Sequence, residues 1–117
     1  MDGEIGTEEL RELTDSESAR IVDIRSPAAF ERGHIPGSEN VPLPSLVDDV
    51  EQFDDADRVV TVCPKGQSSV QAARLIASYE GFDGRVESFG PGLSKWDGPL
   101  EAGGDEASAD EGPSAPF

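Results

Sequence analysis

Val59-Val60-Thr61-Val62-Cys63-Pro64-Lys65-Gly66-Gln67-Ser68-Ser69-Val70-Gln71-Ala72-Ala73-Arg74-Leu75-Ile76 is the stretch on which the fold turns. Its first four residues form a short, continuous β-branched run, the pattern of a strand buried on both faces of a parallel sheet. A tight Gly-containing loop, Cys63 to Gln67, follows. Ser68 or Ser69 then reads as the cap of a helix, with Val70, Ala73, Leu75, Ile76 and Tyr79 as its apolar stripe and Gly81 at its end. Strand, loop and helix in that order are one half of a βαβ unit, so an α/β sheet is expected.

The same alternation extends in both directions. Toward the N-terminus, Arg20 to Ile24 is a short strand, and Ser26-Pro27 reads as a cap followed by proline at the first helical position, with the helix running to about Arg32. Thr7 is expected to cap an earlier helix carrying Leu10 and Leu13. Gly33 to Pro44 holds three prolines and two glycines and reads mostly as turn. Leu46, Val47 and Val50 suggest a further short helix before the acidic turn Asp54-Asp55-Ala56-Asp57. Toward the C-terminus, Arg85 to Phe89 is the last strand, Gly90-Pro91-Gly92 a turn, and Leu93 to Trp96 a final helical turn.

One domain over residues 1–100 is expected. Residues 101–117 contain only Glu, Asp, Gly, Ala, Ser and Pro before the terminal Phe117. Such an acidic tail cannot bury enough apolar surface to offset its ordering entropy and is expected to be disordered. The chain carries 25 acidic and 9 basic residues, a formal net charge of −16, and only Lys65 and Lys95 are lysines. An acidic, lysine-poor surface stays hydrated in molar salt, where its self-repulsion is screened, so a halophilic, haloarchaeal source is expected, the alternative being an acidic mesophilic protein with an acidic tail. Nucleic acid and anionic membranes are excluded as partners, since both require a basic surface. No apolar run approaches the roughly 20 residues of a membrane span. The acidic start Met1-Asp2-Gly3-Glu4 lacks a secretory signal, and a lone cysteine cannot close an intramolecular disulfide, so a cytoplasmic location is expected.

The chemistry centres on the loop. A cysteine at the carboxyl end of a buried strand, followed by a turn into a helix N-terminus, meets successive backbone N–H groups and the positive end of the helix dipole. Such a cradle favours the thiolate and makes the sulfur nucleophilic at neutral pH. Gly66 permits the tight turn, and Lys65 adds positive charge at the rim. A buried cysteine serving as a small hydrophobe, and a solvated loop lysine, are the plain alternatives. A phosphatase of the tyrosine type would need an arginine six residues after the cysteine, where this chain has Ser69. A dithiol redox role would need a second cysteine.

Four blocks resemble the rhodanese family. Val22-Asp23-Ile24-Arg25 with Phe30-Glu31-Arg32-Gly33-His34-Ile35-Pro36-Gly37-Ser38-Glu39-Asn40-Val41-Pro42 is similar to its first signature, and Val59 to Ala73 to its active-site strand, loop and helix. Gly81-Phe82 and Gly90-Pro91-Gly92-Leu93-Ser94-Lys95-Trp96 resemble its closing segment. The resemblance implies a three-layer α/β fold with a central, mostly parallel sheet flanked by helices. It also implies a single-domain sulfurtransferase that carries sulfur as a persulfide on Cys63, without metal or organic cofactor. By the same resemblance Pro64, Lys65, Gly66, Gln67, Ser68 and Ser69 form the substrate-binding loop. Its six-residue length, Cys63 to Ser68, goes with sulfur transfer, whereas related phosphatases have seven. Many members carry an arginine where this chain has Ser68 and a second basic residue where it has Pro64. With Lys65 the only cation of the loop, the resemblance leaves a protein persulfide or another sulfur compound as the alternative donor to thiosulfate. The implied partners are a small sulfur-containing anion or persulfide donor and a thiol or sulfur-carrier protein acceptor. A non-catalytic binding or redox-sensing module on the same fold is the alternative. His34, Asp23 and Arg25 are expected to be structural, and Phe89 and Trp96 to belong to the core.

Overall fold

A computed structural model describes residues 1–16 and 19–102. The elements in chain order are β1 (Glu4–Ile5), α1 (Thr7–Leu13), β2 (Arg20–Asp23), α2 (Pro27–Arg32), β3 (Glu39–Asn40), α3 (Leu43–Asp49), a 3₁₀ turn (Val50–Phe53), β4 (Arg58–Val62), α4 (Ser68–Ser78), β5 (Arg85–Phe89) and a second 3₁₀ turn (Leu93–Lys95). The five strands form one sheet in the order β1-β5-β4-β2-β3. Every pairing is parallel. The expected α/β architecture with a central parallel sheet and flanking helices is therefore the one observed.

The run Val59 to Val62 lies in the middle strand, and strand periodicity divides it between two cores. Val59 packs with Val22, Leu46, Phe53, Ala72, Ala73, Ile76 and Val86 under α3 and α4. Val60 and Val62 pack with Ile5, Leu10, Ile21, Ile35, Phe89 and Trp96 on the α1 side. A strand buried on both faces needs no alternation of apolar and polar residues, which is why its sequence shows none. Phe89 and Trp96 meet edge to face, with centroids 6.1 Å apart.

Local signals were followed closely at α2 and less closely elsewhere. Ser26 Oγ accepts from the Ala29 N–H at 3.3 Å and Pro27 opens the helix. For α1 the cap is Gly6 rather than Thr7, because the Gly6 carbonyl already accepts the Leu10 N–H at 3.0 Å. For α4 the cap is Gln67, and Ser68 and Ser69 lie within the first turn. The buried face of α4 is Ser69, Ala72, Ala73 and Ile76, whereas Leu75 and Tyr79 are only partly covered. This helix ends at Ser78, three residues before Gly81, where Tyr79 turns to an extended conformation. The Gly33 to Pro44 segment is not all turn, since β3 and the first residues of α3 lie inside it. Of the apolar residues that suggested this helix, Leu46 is fully buried whereas Val47 is 62% exposed.

Glu87, midway along β5, is buried and takes Arg58 Nε at 2.8 Å and Arg85 Nε at 3.1 Å. Arg58 also reaches Glu9 on α1 at 2.9 Å, so one guanidinium fastens β4, β5 and that helix together. With Arg58→Ala, Glu87 would keep only the more exposed Arg85. The expected loss is about 1.5–3 kcal/mol of stability, read as a lower urea midpoint with unchanged slope.

Glu101, the first residue of the expected tail, pairs with His34 through two backbone hydrogen bonds of 2.8 and 2.7 Å. The tail from residue 103 onward lies outside the described residues.

Candidate functional site

Cys63 directly follows β4, between the carboxyl ends of β2 and β5, where loops of an open parallel sheet converge. The residue is 2% exposed. Its Sγ accepts the Gly66 N–H at 3.1 Å and the Ser69 N–H at 3.3 Å. The Ser69 hydroxyl lies 3.4 Å from the sulfur. Burial pushes the Cys63 thiol up, but the Ser69 side chain and the backbone N–H groups of Ser69, Lys65 and Gly66 outweigh it, so its pKa falls below the ordinary thiol value. The anionic sulfur is thus the form this loop solvates best.

The loop holds its shape because a second turn is packed against it. Gly66 adopts φ +76°, and a Cβ there would stand 2.1 Å from the Gly90 carbonyl oxygen. Gly92, at φ +83°, lies so close that its Cβ would meet Lys65 Cα and the Pro64 carbonyl oxygen at 2.6 Å. Across this contact the Leu93 N–H donates to the Cys63 carbonyl at 2.8 Å and the Ser94 N–H to the Pro64 carbonyl at 2.9 Å. Gly90-Pro91-Gly92 is therefore the buttress of the cysteine loop as well as a chain reversal.

Two clefts open at the sulfur. One, of about 260 Å³, is lined by Cys63, Pro64, Lys65, Gln67 and Ser68. The other, of about 340 Å³, is lined by Ile24, Arg25, Ser26, Ala29, Leu43, Cys63, Pro64 and Ser68. Of the loop residues singled out from sequence, Pro64, Lys65, Gln67 and Ser68 are exposed and face these clefts. Gly66 contributes its amide to the sulfur. Ser69 is fully buried and turned inward, so its contact is with the cysteine itself.

Arg25 grips the Asp23 carboxylate through Nε at 3.0 Å and Nη2 at 2.8 Å, and Nη2 also donates to the Gly33 carbonyl at 2.7 Å. These bonds fit the structural role expected of Asp23 and Arg25, yet the arginine also lines the larger cleft. His34 stacks on Phe30 with ring centroids 3.8 Å apart, and its Nδ1 is 2.8 Å from the Phe30 carbonyl oxygen. It lines neither cleft.

Sequence reasoning missed Ser88. It is wholly buried on β5, with its Oγ 2.7 Å from Ser69 Oγ. The available signal was a lone hydroxyl residue in the strand segment Val86 to Phe89, which is buried throughout. Ala29 and Leu43 were likewise missed, since their place in the cleft depends on how α2 and α3 approach the loop.

Residues 6–98 match the family model described as Rhodanese-like domain. A thiosulfate sulfurtransferase, GlpE, of Shewanella oneidensis is 36% identical over 92 residues, 79% of this chain and 89% of that protein. A putative sulfur carrier protein, YrkF, of Bacillus subtilis is 32% identical over 99 residues, 84% of this chain. That match spans only about half of YrkF, 52%. Among solved structures, SSP1007 from Staphylococcus saprophyticus superposes with a TM-score of 0.72 at 28% identity, covering 85% of this chain and 98% of that one. The human single-domain sulfurtransferase TSTD1 superposes with a TM-score of 0.63 at 25% identity, covering 80% and 93%. With the family model matched over nearly all of the described residues and a relative of 36% identity sharing most of its length, the chain belongs to the rhodanese-like domain family.

Proposed function

We propose that this protein is a sulfurtransferase that moves a sulfane sulfur from a donor to a thiophilic acceptor through a persulfide on Cys63. The observation that carries this reading is the convergence of the Gly66 and Ser69 amides on a sulfur at the floor of two clefts. Relatives named as thiosulfate sulfurtransferase and as sulfur carrier support it.

In the first step the Cys63 thiolate attacks the outer sulfur of the donor. A new S–S bond forms at Cys63, and the donor's S–S bond breaks with its electron pair, leaving as sulfite from thiosulfate or as a thiolate from a protein persulfide. In the second step an acceptor nucleophile attacks the outer sulfur of the persulfide. The Cys63–S bond then breaks and returns the pair to Cys63, regenerating the thiolate. Neither step changes the overall electron count, and the loop amides solvate the sulfur charge that is lost and restored. This is covalent catalysis with alternating half-reactions. Double-reciprocal plots for thiosulfate and cyanide are expected to be parallel, with one sulfite per thiocyanate. Intersecting lines would mean direct transfer in a ternary complex and would overturn the covalent route.

The donor is thiosulfate or a protein persulfide, and the acceptor a thiol or a sulfur-carrier protein. Lys65 is the cation of the smaller cleft. Its side chain is exposed, so its attraction for an anion is screened by water. Lys65→Ala is expected to raise KM for thiosulfate about two- to fivefold while leaving kcat unchanged. An unchanged KM would remove Lys65 from donor binding. No helix among the described residues is long and apolar enough to cross a membrane. Persulfide exchange with thiols suits the reducing cytoplasm, where we place the reaction.

A further inference from the structure

The Ser69 hydroxyl touches the Cys63 sulfur, and a second hydroxyl lies beneath it to which the persulfide chemistry gives no role. Ser88 and Ser69 are both wholly buried, and their Oγ atoms are 2.7 Å apart. Ser69 is in turn held in place from β4, where Thr61 Oγ1 donates to the Ser69 carbonyl at 2.7 Å. Thr61 and Ser88 are neighbours in register across β4 and β5. Three buried hydroxyls thus stand between the sheet and the cysteine loop, an arrangement that costs stability wherever a hydroxyl lacks a partner.

Each serine hydroxyl has one proton to give and can accept two. While Cys63 is a thiol, its S–H donates to Ser69 Oγ, and either serine can donate across the Ser69–Ser88 contact. Once the thiol has lost its proton to water, the sulfur can only accept. Ser69 must then turn its single proton to the sulfur, and its oxygen is left to accept from Ser88. A hydroxyl that accepts one hydrogen bond donates a stronger one, and burial sharpens the effect.

We infer that Ser88 is a positioning residue for the nucleophile: its hydroxyl donates to Ser69 Oγ and so holds the Ser69 proton on the Cys63 thiolate. This rests on the reading of Cys63 as the reacting group. It adds a second layer to the cradle, supplied by β5 and acting without touching sulfur or substrate.

The test is the pH dependence of Cys63 alkylation by iodoacetamide, which reports the thiolate fraction without requiring any sulfur transfer. Ser88→Ala is expected to slow alkylation at pH 7 by about 3- to 10-fold, with the wild-type rate recovered at the alkaline plateau. In a Ser69→Ala background the same change should have no further effect, because the path runs through Ser69. Should Ser88→Ala not fold, Ser88→Thr and Ser88→Val differ only by a hydroxyl against a methyl. The threonine variant should keep the wild-type profile and the valine variant should be slowed. An unchanged profile in folded Ser88→Ala, equal slowing with and without Ser69, or identical threonine and valine profiles would each overturn the inference. Because alkylation is independent of persulfide formation, a protein that never accepts sulfur would sink the proposed function and leave this result intact.

Discussion

Cys63→Ser is expected to reduce thiocyanate formation from thiosulfate and cyanide to the uncatalysed background. The serine hydroxyl could accept the Gly66 and Ser69 amides that now reach the sulfur at 3.1 and 3.3 Å. It cannot, however, form the S–S bond on which both half-reactions depend, and near neutral pH it is scarcely ionised. Its smaller oxygen replaces a single buried atom, so the variant should fold with stability within about 1 kcal/mol of the parent. Loss of turnover in a folded protein would therefore report chemistry rather than collapse. Any residual turnover above background would require a second nucleophile, and the chain has no other cysteine.

The second large effect is expected at Gly66. A side chain there must adopt φ +76° and place its Cβ 2.1 Å from a backbone oxygen of Gly90, a contact no rotamer relieves. Gly66→Ala must move either the cysteine loop or the Gly90-Pro91-Gly92 turn. Strain at a left-handed position costs about 1–3 kcal/mol, and the displaced backbone adds to it. Moving the Gly66 amide off the sulfur would also raise the Cys63 pKa, since that amide is one of the bonds that lower it. Turnover should fall about 100-fold, the loss expected when reacting groups are misplaced by about 1 Å. Steady-state kinetics beside a urea titration would separate the two losses. A variant with parental kcat would show that the tight loop is dispensable.

How far the sequence could be read depended on whether a structure is fixed locally. The Val59 to Val62 run, the Ser26-Pro27 start and the Arg85 to Phe89 strand carry their own signals, and the fold follows them. The two-residue edge strands Glu4–Ile5 and Glu39–Asn40 carry none, because they exist only as backbone ladders along β5 and β2. The Thr7, Ser68 and Ser69 caps failed for a shared reason. Gly6 and Gln67 precede them and already take the cap position, which leaves the hydroxyl residues inside the first turn. For Ser69 the consequence is an inward-facing hydroxyl. Helical phase puts it on the same face as Ala72, Ala73 and Ile76, so its hydroxyl points at Cys63 and Ser88 instead of outward to a ligand. Ser88 itself could not be assigned from sequence, because only the packing of α4 on the sheet brings it to Ser69.

Arg25 shows the same limit from the other side. Its spacing from Asp23 indicates a local ion pair, and the fork is formed. Its place in the wall of the larger cleft comes from the approach of α2 and α3, with Ala29 and Leu43 as neighbours. That wall, largely apolar apart from Arg25 and two serines, leaves room for a donor or acceptor bulkier than thiosulfate.

Whether Cys63 carries the sulfur is read from intact mass of the purified protein after incubation with thiosulfate. High salt in the buffer screens the self-repulsion of a chain of net charge −16. The expected result is a gain of one sulfur, about 32 Da, removed by cyanide and never acquired by Cys63→Ser. A protein that gains no sulfur from thiosulfate or from a protein persulfide would rule out the Cys63 persulfide.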